Sequence, residues 1–340
     1  MSKSGRRRAR VLVVGSANMD LVARCAALPR PGETVLAQGF DATPGGKGAN
    51  QAIAVARSGL ALCAFLGAVG ADEYGARLRD VLRDDGVEVD LLREVRGAPS
   101  GTALITVDPA GANTIVVVPG ANGCLGGLSA AELSCASECA VVLAQLEIPV
   151  QTVQAAFAAA RESGRALTIL NAAPARTLPA ELLAVTDLLV VNEIEAATIA
   201  GYEPRGAGHD AAAAGATAFA QCEKLLELTP RVALTLGEQG VCYASRDGAR
   251  YQIPAARVRA VDSTAAGDTF TGVLAACLAA GRPIEHALQY ACAAASLTVE
   301  LPGAIASIPR AAEITGRHAA VYAYSGGRNT EASTEQENSR

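Results

Sequence analysis

Five short runs of β-branched and leucine side chains, at residues 11–14, 141–143, 167–170, 188–191 and 232–236, are apolar at nearly every position. A strand with one wet face alternates apolar and polar side chains, whereas a strand covered on both faces is apolar throughout. Helical patterns lie between many of these runs. Tyr74, Leu78, Val81 and Leu82 recur at helical spacing with Gly86 as a stop, and Ile284, Leu288 and Ala291 do so after Pro283. Buried strands alternating with helices restrict the chain to an α/β fold whose central sheet is mostly parallel and covered on both faces. At 340 residues, half of them apolar, the chain suits one large α/β domain with a small addition.

Two segments break the alternation. Residues 33–41 and 101–118 carry strand residues with no helix between them. The second holds the runs 102–107 and 114–118, joined by the turn sequence Asp108-Pro109-Ala110-Gly111-Ala112-Asn113. They predict a small antiparallel sheet beside the main one. The alanine-rich residues 211–220 predict a helix leading to the strand at Val232.

Composition narrows the partners. A net charge of −5 and an aromatic content of 4 % without tryptophan argue against a nucleic-acid surface, which needs a basic face and stacking rings. The nine cysteines are scattered with no Cys-x-x-Cys pair, so they read as reduced, mostly buried residues of a cytoplasmic protein. The three histidines, His209, His286 and His318, stand near no cysteine pair, and a structural zinc site is not expected. No apolar stretch is long enough to span a bilayer, and none follows the N-terminal basic residues as in a signal peptide. Arg6, Arg7, Arg8 and Arg10 read as a solvated tail before the first strand, and residues 325–340 as a disordered polar tail.

The run Val261-Asp262-Ser263-Thr264-Ala265-Ala266-Gly267-Asp268-Thr269-Phe270-Thr271-Gly272 places one carboxylate, Asp268, beside closely approachable backbone amides. Phe270, Val273, Leu274, Cys277 and Leu278 follow at helical spacing, so a helix begins here with unpartnered N–H groups that suit an anion. Taken alone, Asp268 reads as a helix cap. A general base beside an anion cradle, however, is what transfer of a phosphoryl group to a hydroxyl requires. Upstream stand Asn18-Met19-Asp20 and Gly45-Gly46-Lys47-Gly48-Ala49-Asn50-Gln51. Pro31-Gly32-Glu33-Thr34, Gln145-Leu146-Glu147, Asn171-Ala172-Ala173-Pro174-Ala175, Asn192-Glu193-Ile194-Glu195-Ala196 and Thr235-Leu236-Gly237 complete the set. This ordered set, over roughly residues 10–312, resembles the ribokinase family of sugar kinases, the phosphofructokinase-B group.

The resemblance implies a three-layer α/β/α domain over about residues 10–318, with a β lid drawn from about residues 15–24, 33–45 and 100–118. In that family the lid covers the sugar and often forms the interface of a homodimer. The implied reaction is ATP-dependent phosphorylation of D-ribose at its O5 hydroxyl to ribose 5-phosphate. Another sugar, a deoxyribose, a ketose or sugar acid, or a nucleoside such as adenosine is the alternative substrate. Asp268 matches the general base, and the amides of Ala265, Ala266 and Gly267 match the anion hole. Asn18, Asp20, Gly45, Gly46, Lys47, Asn50 and Glu147, with Asp268, match the sugar-binding positions. Asn192, Thr235 and Gly237, with Ala266 and Gly267, match the nucleotide side, and Glu195 matches the Mg²⁺ region, where contact runs through water. Asp262, Thr264, Thr298, Leu301, Gly303 and Ser307 match where relatives hold K⁺.

Plainer readings stand beside these. Asn50 can satisfy its own turn, Lys47 can be a solvated lysine, Asn192 and Glu195 can cap a helix, and Asp262 can begin a turn. Many relatives have glycine where this chain has Ala265, and no Walker motif occurs. The lid region offers only Phe40 as an aromatic on which a base could stack, which favours a free sugar over a nucleoside. A sensor without turnover would typically have lost Asp268 or Gly267, and both are present. A dinucleotide oxidoreductase is disfavoured, because Gly15-Ser16-Ala17-Asn18 opens no Gly-x-Gly-x-x-Gly motif.

Overall fold

The computed structural model describes residues 8–201 and 211–322. Its main sheet has ten strands. From one edge the order is Arg250–Ile253, Val241–Ser245, Arg231–Thr235, Leu188–Asn192, Leu167–Asn171, Val141–Ala144, Arg10–Val14, Leu62–Gly70 and Val87–Glu88, with Leu92–Val95 also paired to Leu62–Gly70. All pairings are parallel except the two at the first edge. The five apolar runs are five consecutive interior strands. The fifth stops at Thr235 and not at Leu236, because Leu236 turns into the short 3₁₀ turn Gly237–Gln239.

Strand side chains alternate between two cores. Val11, Val13, Phe65, Leu143 and Ile169 face the helices Lys47–Arg57, Ala266–Ala279 and Ile284–Thr298. Leu12, Val14, Leu66, Val142 and Leu170 face Ala130–Glu138, Val150–Glu162 and Ala211–Leu226. These ten strand residues are 0 % exposed, and burying each large apolar side chain is worth about 1.5–3 kcal/mol. A one-residue slip would exchange the two cores, so the register is fixed from both sides. The helix Glu73–Asp84 begins where Asp72 accepts from the Gly75 amide (2.7 Å), and Gly86, at φ 82°, follows its end.

The second sheet has the order Gly39–Gly45, Asn18–Arg24, Gly101–Val107, Asn113–Val118. Its outer pairs are antiparallel, as expected, but the central pair is parallel. The Asp108 carboxylate closes the hairpin by accepting from the amides of Ala110 and Ala112. Residues 33–38, expected to carry strand, do not. Gly32, at φ 83°, turns the chain back, and the strand starts only at Gly39. Every residue of Asn113–Val118 is exposed, including Ile115 (54 %) and Val116 (60 %).

Arg10 opens the first strand and ion-pairs with Glu88, so it is no part of a solvated tail. The last described helix, Ala311–Tyr322, runs past residue 318, and its Tyr322 hydroxyl donates to the Pro254 carbonyl (2.7 Å). All nine cysteines are free and all but Cys124 are buried. Among the described residues no helix is long and apolar enough to cross a membrane. Residues 1–7, His209 and the polar tail lie outside the described residues.

Candidate active site

The C-terminal ends of the parallel strands converge on one cleft, where ligands of open α/β sheets bind. The first strand leaves through Gly15-Ser16-Ala17 into the small sheet, and the turn Gly45-Gly46 lies against that exit. A Cβ on Gly46, at φ 92°, would stand 2.7 Å from the Asn18 amide nitrogen, and one on Gly45 would stand 2.2 Å from Asp20 Oδ2. Only glycine lets the turn pass beneath Asn18 and Asp20. The helix Lys47–Arg57 starts at once and carries Asn50 and Gln51, both buried, towards Asp268.

Asp268 lies in the first turn of Ala266–Ala279 and is 7 % exposed. Asn50 Nδ2 donates to its Oδ2 and Gln51 Nε2 to its Oδ1, each at 2.9 Å. Asn50 Oδ1 is buried with no partner among the described residues. An unpaired buried acceptor costs about 1–3 kcal/mol. A ligand hydroxyl beside Asp268 would remove that cost.

Ala265 takes the left-handed conformation at φ 60°, ψ 5°, which costs an L-residue about 1–2 kcal/mol. This bend turns the first amides of the helix towards the cleft. Ala266, expected to give its amide to an anion, donates instead to the Ser263 carbonyl (3.2 Å). The amides of Gly267 and Asp268 have no acceptor among the described residues. A Cβ on Gly267 would meet nothing within 4 Å, so the cradle is open on that side.

Glu147 anchors the other wall. Its Oε2 accepts from Ser16 Oγ (2.6 Å), the Lys47 amide (3.3 Å) and Asn18 Nδ2 (3.4 Å). Asn122 Nδ2 holds the Asn18 oxygen at 2.8 Å. Burial, then the charges of Glu147 and Asp268, push the Asp20 carboxyl up to about 7. The Lys47 ammonium is held above its usual range, chiefly by Asp268 and against the effect of burial, with Glu147 and Glu195 adding to it. It is therefore a partly buried lysine among three carboxylates and not a solvated one.

At the Asn192 wall of the cleft the capping reading is realised. Asn192 ends its strand and caps Glu193–Ala200, with the Glu195 amide donating to Asn192 Oδ1 (2.8 Å) and the Asn192 amide to Glu195 Oε2 (2.9 Å). Glu195 is nevertheless buried and lines the cleft, and burial keeps its carboxyl above the ordinary range. Lys47, Asn192, Glu195, Thr235, Gly267 and Asp268 share this cleft of about 180 Å³. Gly237 starts the turn just past Thr235, outside the lining. The oxygen-rich wall of Asn171, Asn192, Glu195 and Thr235 suits a hard, hydrated Mg²⁺. A wider depression of about 630 Å³ over the helix Glu73–Asp84 offers less chemistry. Asp72 is spent there on Gly75 and Ser100, and Arg79 on the carbonyls of Val89 and Leu92.

Asp262 Oδ1 accepts from the Thr264 amide (2.9 Å) and Oδ2 from the Gly303 amide (2.8 Å), and Ser307 Oγ donates to the Gly303 carbonyl (2.7 Å). These four residues of the expected cation set come together. The Thr298 hydroxyl turns to Thr269 instead (3.0 Å), and the Leu301 side chain is 51 % exposed.

The sequence reading gave no role to Ser16, Gln51, Asn122 and Gln145. Ser16, Gln51 and Gln145 sit inside motifs already singled out, where their neighbours drew the attention. Asn122 lies in the short turn Gly120–Cys124, which carries no pattern of its own.

The chain belongs to the pfkB family of carbohydrate kinases: the family model matches residues 8–311, which takes in the whole cleft. It is 37 % identical over 314 residues to the ribokinase of Schizosaccharomyces pombe, covering 90 % of this chain and 96 % of the relative. The ribokinase of Bacillus subtilis is 38 % identical over 305 residues, covering 89 % and 97 %. Among solved structures, Arabidopsis thaliana ribokinase complexed with ribose and ATP matches with a TM-score of 0.81 at 32 % identity, over 92 % of this chain and 99 % of that one.

Proposed function

We propose that this chain is an ATP-dependent kinase that phosphorylates the O5 hydroxyl of D-ribose, giving ribose 5-phosphate and ADP. The observation that carries the reading is Asp268 with the unpartnered Asn50 oxygen on one side and the uncommitted amides of Gly267 and Asp268 on the other. An acceptor hydroxyl donates to Asp268 and gives up its proton there as its oxygen bonds to the γ-phosphorus. The charge of the transferred group meets the two amides, with the Lys47 ammonium close by. Asn18, Asp20, Glu147 and the Gly45-Gly46 turn orient the remaining hydroxyls, while Thr235, Gly237 and Asn192 border the nucleotide. Mg²⁺, held through water near Glu195, supplies charge neutralisation to the phosphates when bound.

The domain, expected over about residues 10–318 and carried to residue 322 by the helix Ala311–Tyr322, closes under the small sheet, which keeps water from competing with the sugar. The exposed apolar strand Asn113–Val118 is read as the face that meets a second copy, since monomers rarely leave such a strand open. Eight buried free thiols suit the reducing cytoplasm. The relatives named above support ribose as the sugar, and the single aromatic of the lid, Phe40, gives little for a nucleoside base to stack on. ADP release from Mg·ATP, compared across ribose, 2-deoxyribose, fructose, adenosine and ketogluconate, tests the assignment. Faster turnover of the nucleoside than of ribose would overturn the substrate.

A monovalent cation is assigned to the Asp262 loop, held by its carboxylate and by main-chain oxygens of Thr264, Thr298, Leu301, Gly303 and Ser307. Each Asp262 oxygen accepts one amide and keeps lone pairs for a hard cation. K⁺ is expected to raise turnover more than Na⁺ at constant ionic strength, and Asp262→Ala to abolish the response. A flat response in the parent protein would remove the site and leave the kinase reading standing.

A further inference from the structure

Gln51 has no role in the chemistry above, yet it is 0 % exposed and touches three polar side chains at the site. Its Nε2 donates to Asp268 Oδ1 and to Asn171 Oδ1, both at 2.9 Å, and its Oε1 accepts from Gln145 Nε2 at 2.6 Å. The amide has one workable orientation. Flipped, it would set an oxygen against a carboxylate and a carbonyl. Gln145, itself 0 % exposed, gives its nitrogen to Gln51 and leaves its own Oε1 without a partner among the described residues. A Cβ on Gly15 would lie 2.0 Å from that oxygen, so the backbone is shaped around this side chain. Most buried polar side chains in folded proteins have a hydrogen-bond partner. This ladder leaves an acceptor unpaired while keeping the nitrogen of Gln51 aimed at Asp268.

We propose that Gln51 is a positioning residue for the phosphoryl transfer: locked between Gln145 and Asn171, it pins the Oδ1 edge of Asp268 and fixes the carboxylate plane towards the acceptor hydroxyl. The inference rests on Asp268 being the base. A carboxylate offers about four lone-pair positions; Asn50 and Gln51 occupy one on each oxygen and leave the others for the hydroxyl. Without Gln51, Asn50 alone holds the group, which then turns about its Cβ–Cγ bond. Misalignment of this kind lowers the rate of the chemical step without touching nucleotide contacts.

The test compares Gln51→Met, Gln51→Glu and Asp268→Asn in the full chain, reading kcat, both KM values, the pH profile of kcat and the melting temperature. Gln51→Met removes the donor at similar size, and kcat is expected to fall about tenfold with the KM for Mg·ATP within about twofold. Gln51→Glu sets a second carboxyl beside Asp268; the two share a proton, and the acid limb of kcat moves up by about one pH unit or more. A folded Gln51→Met with unchanged kcat, or a folded Gln51→Glu with an unmoved acid limb, overturns the positioning role. Should these variants fail to fold, Gln145→Met loosens Gln51 from behind. A loss of kcat at unchanged KM then supports the inference, and unchanged kcat defeats it. Asp268→Asn keeps the two questions apart, because full activity in that variant removes the base itself, whatever Gln51 does.

Discussion

Asp268→Asn leaves the fold and ATP binding in place and lowers turnover by about 10²-fold or more, the scale for loss of a positioned general base. That is about 2.7 kcal/mol of barrier. The substitution is nearly isosteric, and the surroundings can absorb it. Gln51 cannot turn its amide, so the new side chain must present its oxygen to Gln51 Nε2 and its nitrogen to Asn50. Asn50 can turn so that its oxygen accepts from that nitrogen, and its own nitrogen then takes the place its unpartnered oxygen held. The variant is therefore expected to fold and to melt close to the parent without ligand, while its side chain can no longer take a proton. Steady-state kcat at saturating ribose and Mg·ATP, calorimetric ATP binding and a thermal melt measure the three quantities. A kcat near the parent's would take Asp268 out of the mechanism, and a parallel loss of ATP affinity would assign it a structural part.

The interior strands were legible because burial on both faces leaves a continuous apolar run, which strands of one-sided sheets do not show. The candidate site was legible for a different reason. Asn18, Asp20, Asn50 and Glu147 sit in short motifs whose order along the chain carries information that no single motif holds. The parallel pairing of Asn18–Arg24 with Gly101–Val107 left no trace, since hairpin signals report only neighbours in sequence. The reading of residues 33–38 as strand failed because apolar content does not supply a pairing partner. At the anion cradle the sequence located the helix start, but it could not tell that Ala265 would bend left-handed and send the Ala266 amide to Ser263. Gln51 escaped notice because a buried glutamine beside a buried asparagine has the same spacing whether it faces the core or a catalytic carboxylate. Only the distances separate those cases.

Asp20→Ala lowers kcat/KM for ribose by about 30- to 10³-fold, or 2–4 kcal/mol, as expected when a carboxylate that accepts two sugar hydroxyls is lost from a closed site. ATP affinity measured without sugar changes little, because Asp20 stands on the Gly45 side of the cleft. The same residue makes the free protein and the complex respond to pH in opposite directions. Burial, Glu147 and Asp268 raise Asp20 from its ordinary 3.8 to about 7 in the folded chain. A raised folded value means the folded state holds the proton more tightly than the unfolded one. The stability from this group is complete below pH 3.8 and is lost as pH rises through about 7. The unliganded protein is thus expected to lose about 1–3 kcal/mol from this group between pH 4 and pH 8, since each tenfold gain in proton affinity is worth about 1.4 kcal/mol before solvent screening. Asp20→Asn removes that dependence and melts higher than the parent at pH 8. Ribose binding runs the other way, since the hydroxyls pair with the ionised form. At pH 6 the proton must first leave, and the ribose Kd is expected to be about five- to tenfold weaker than at pH 8. Calorimetric titration of ribose at the two pH values, with Asp20→Ala as the control that should show no such ratio, reads the effect directly. Equal losses of ribose and ATP affinity in Asp20→Ala would instead make the residue a prop of the fold. A parent protein whose ribose affinity is flat from pH 6 to pH 8 would show that the sugar binds without needing the charge on Asp20.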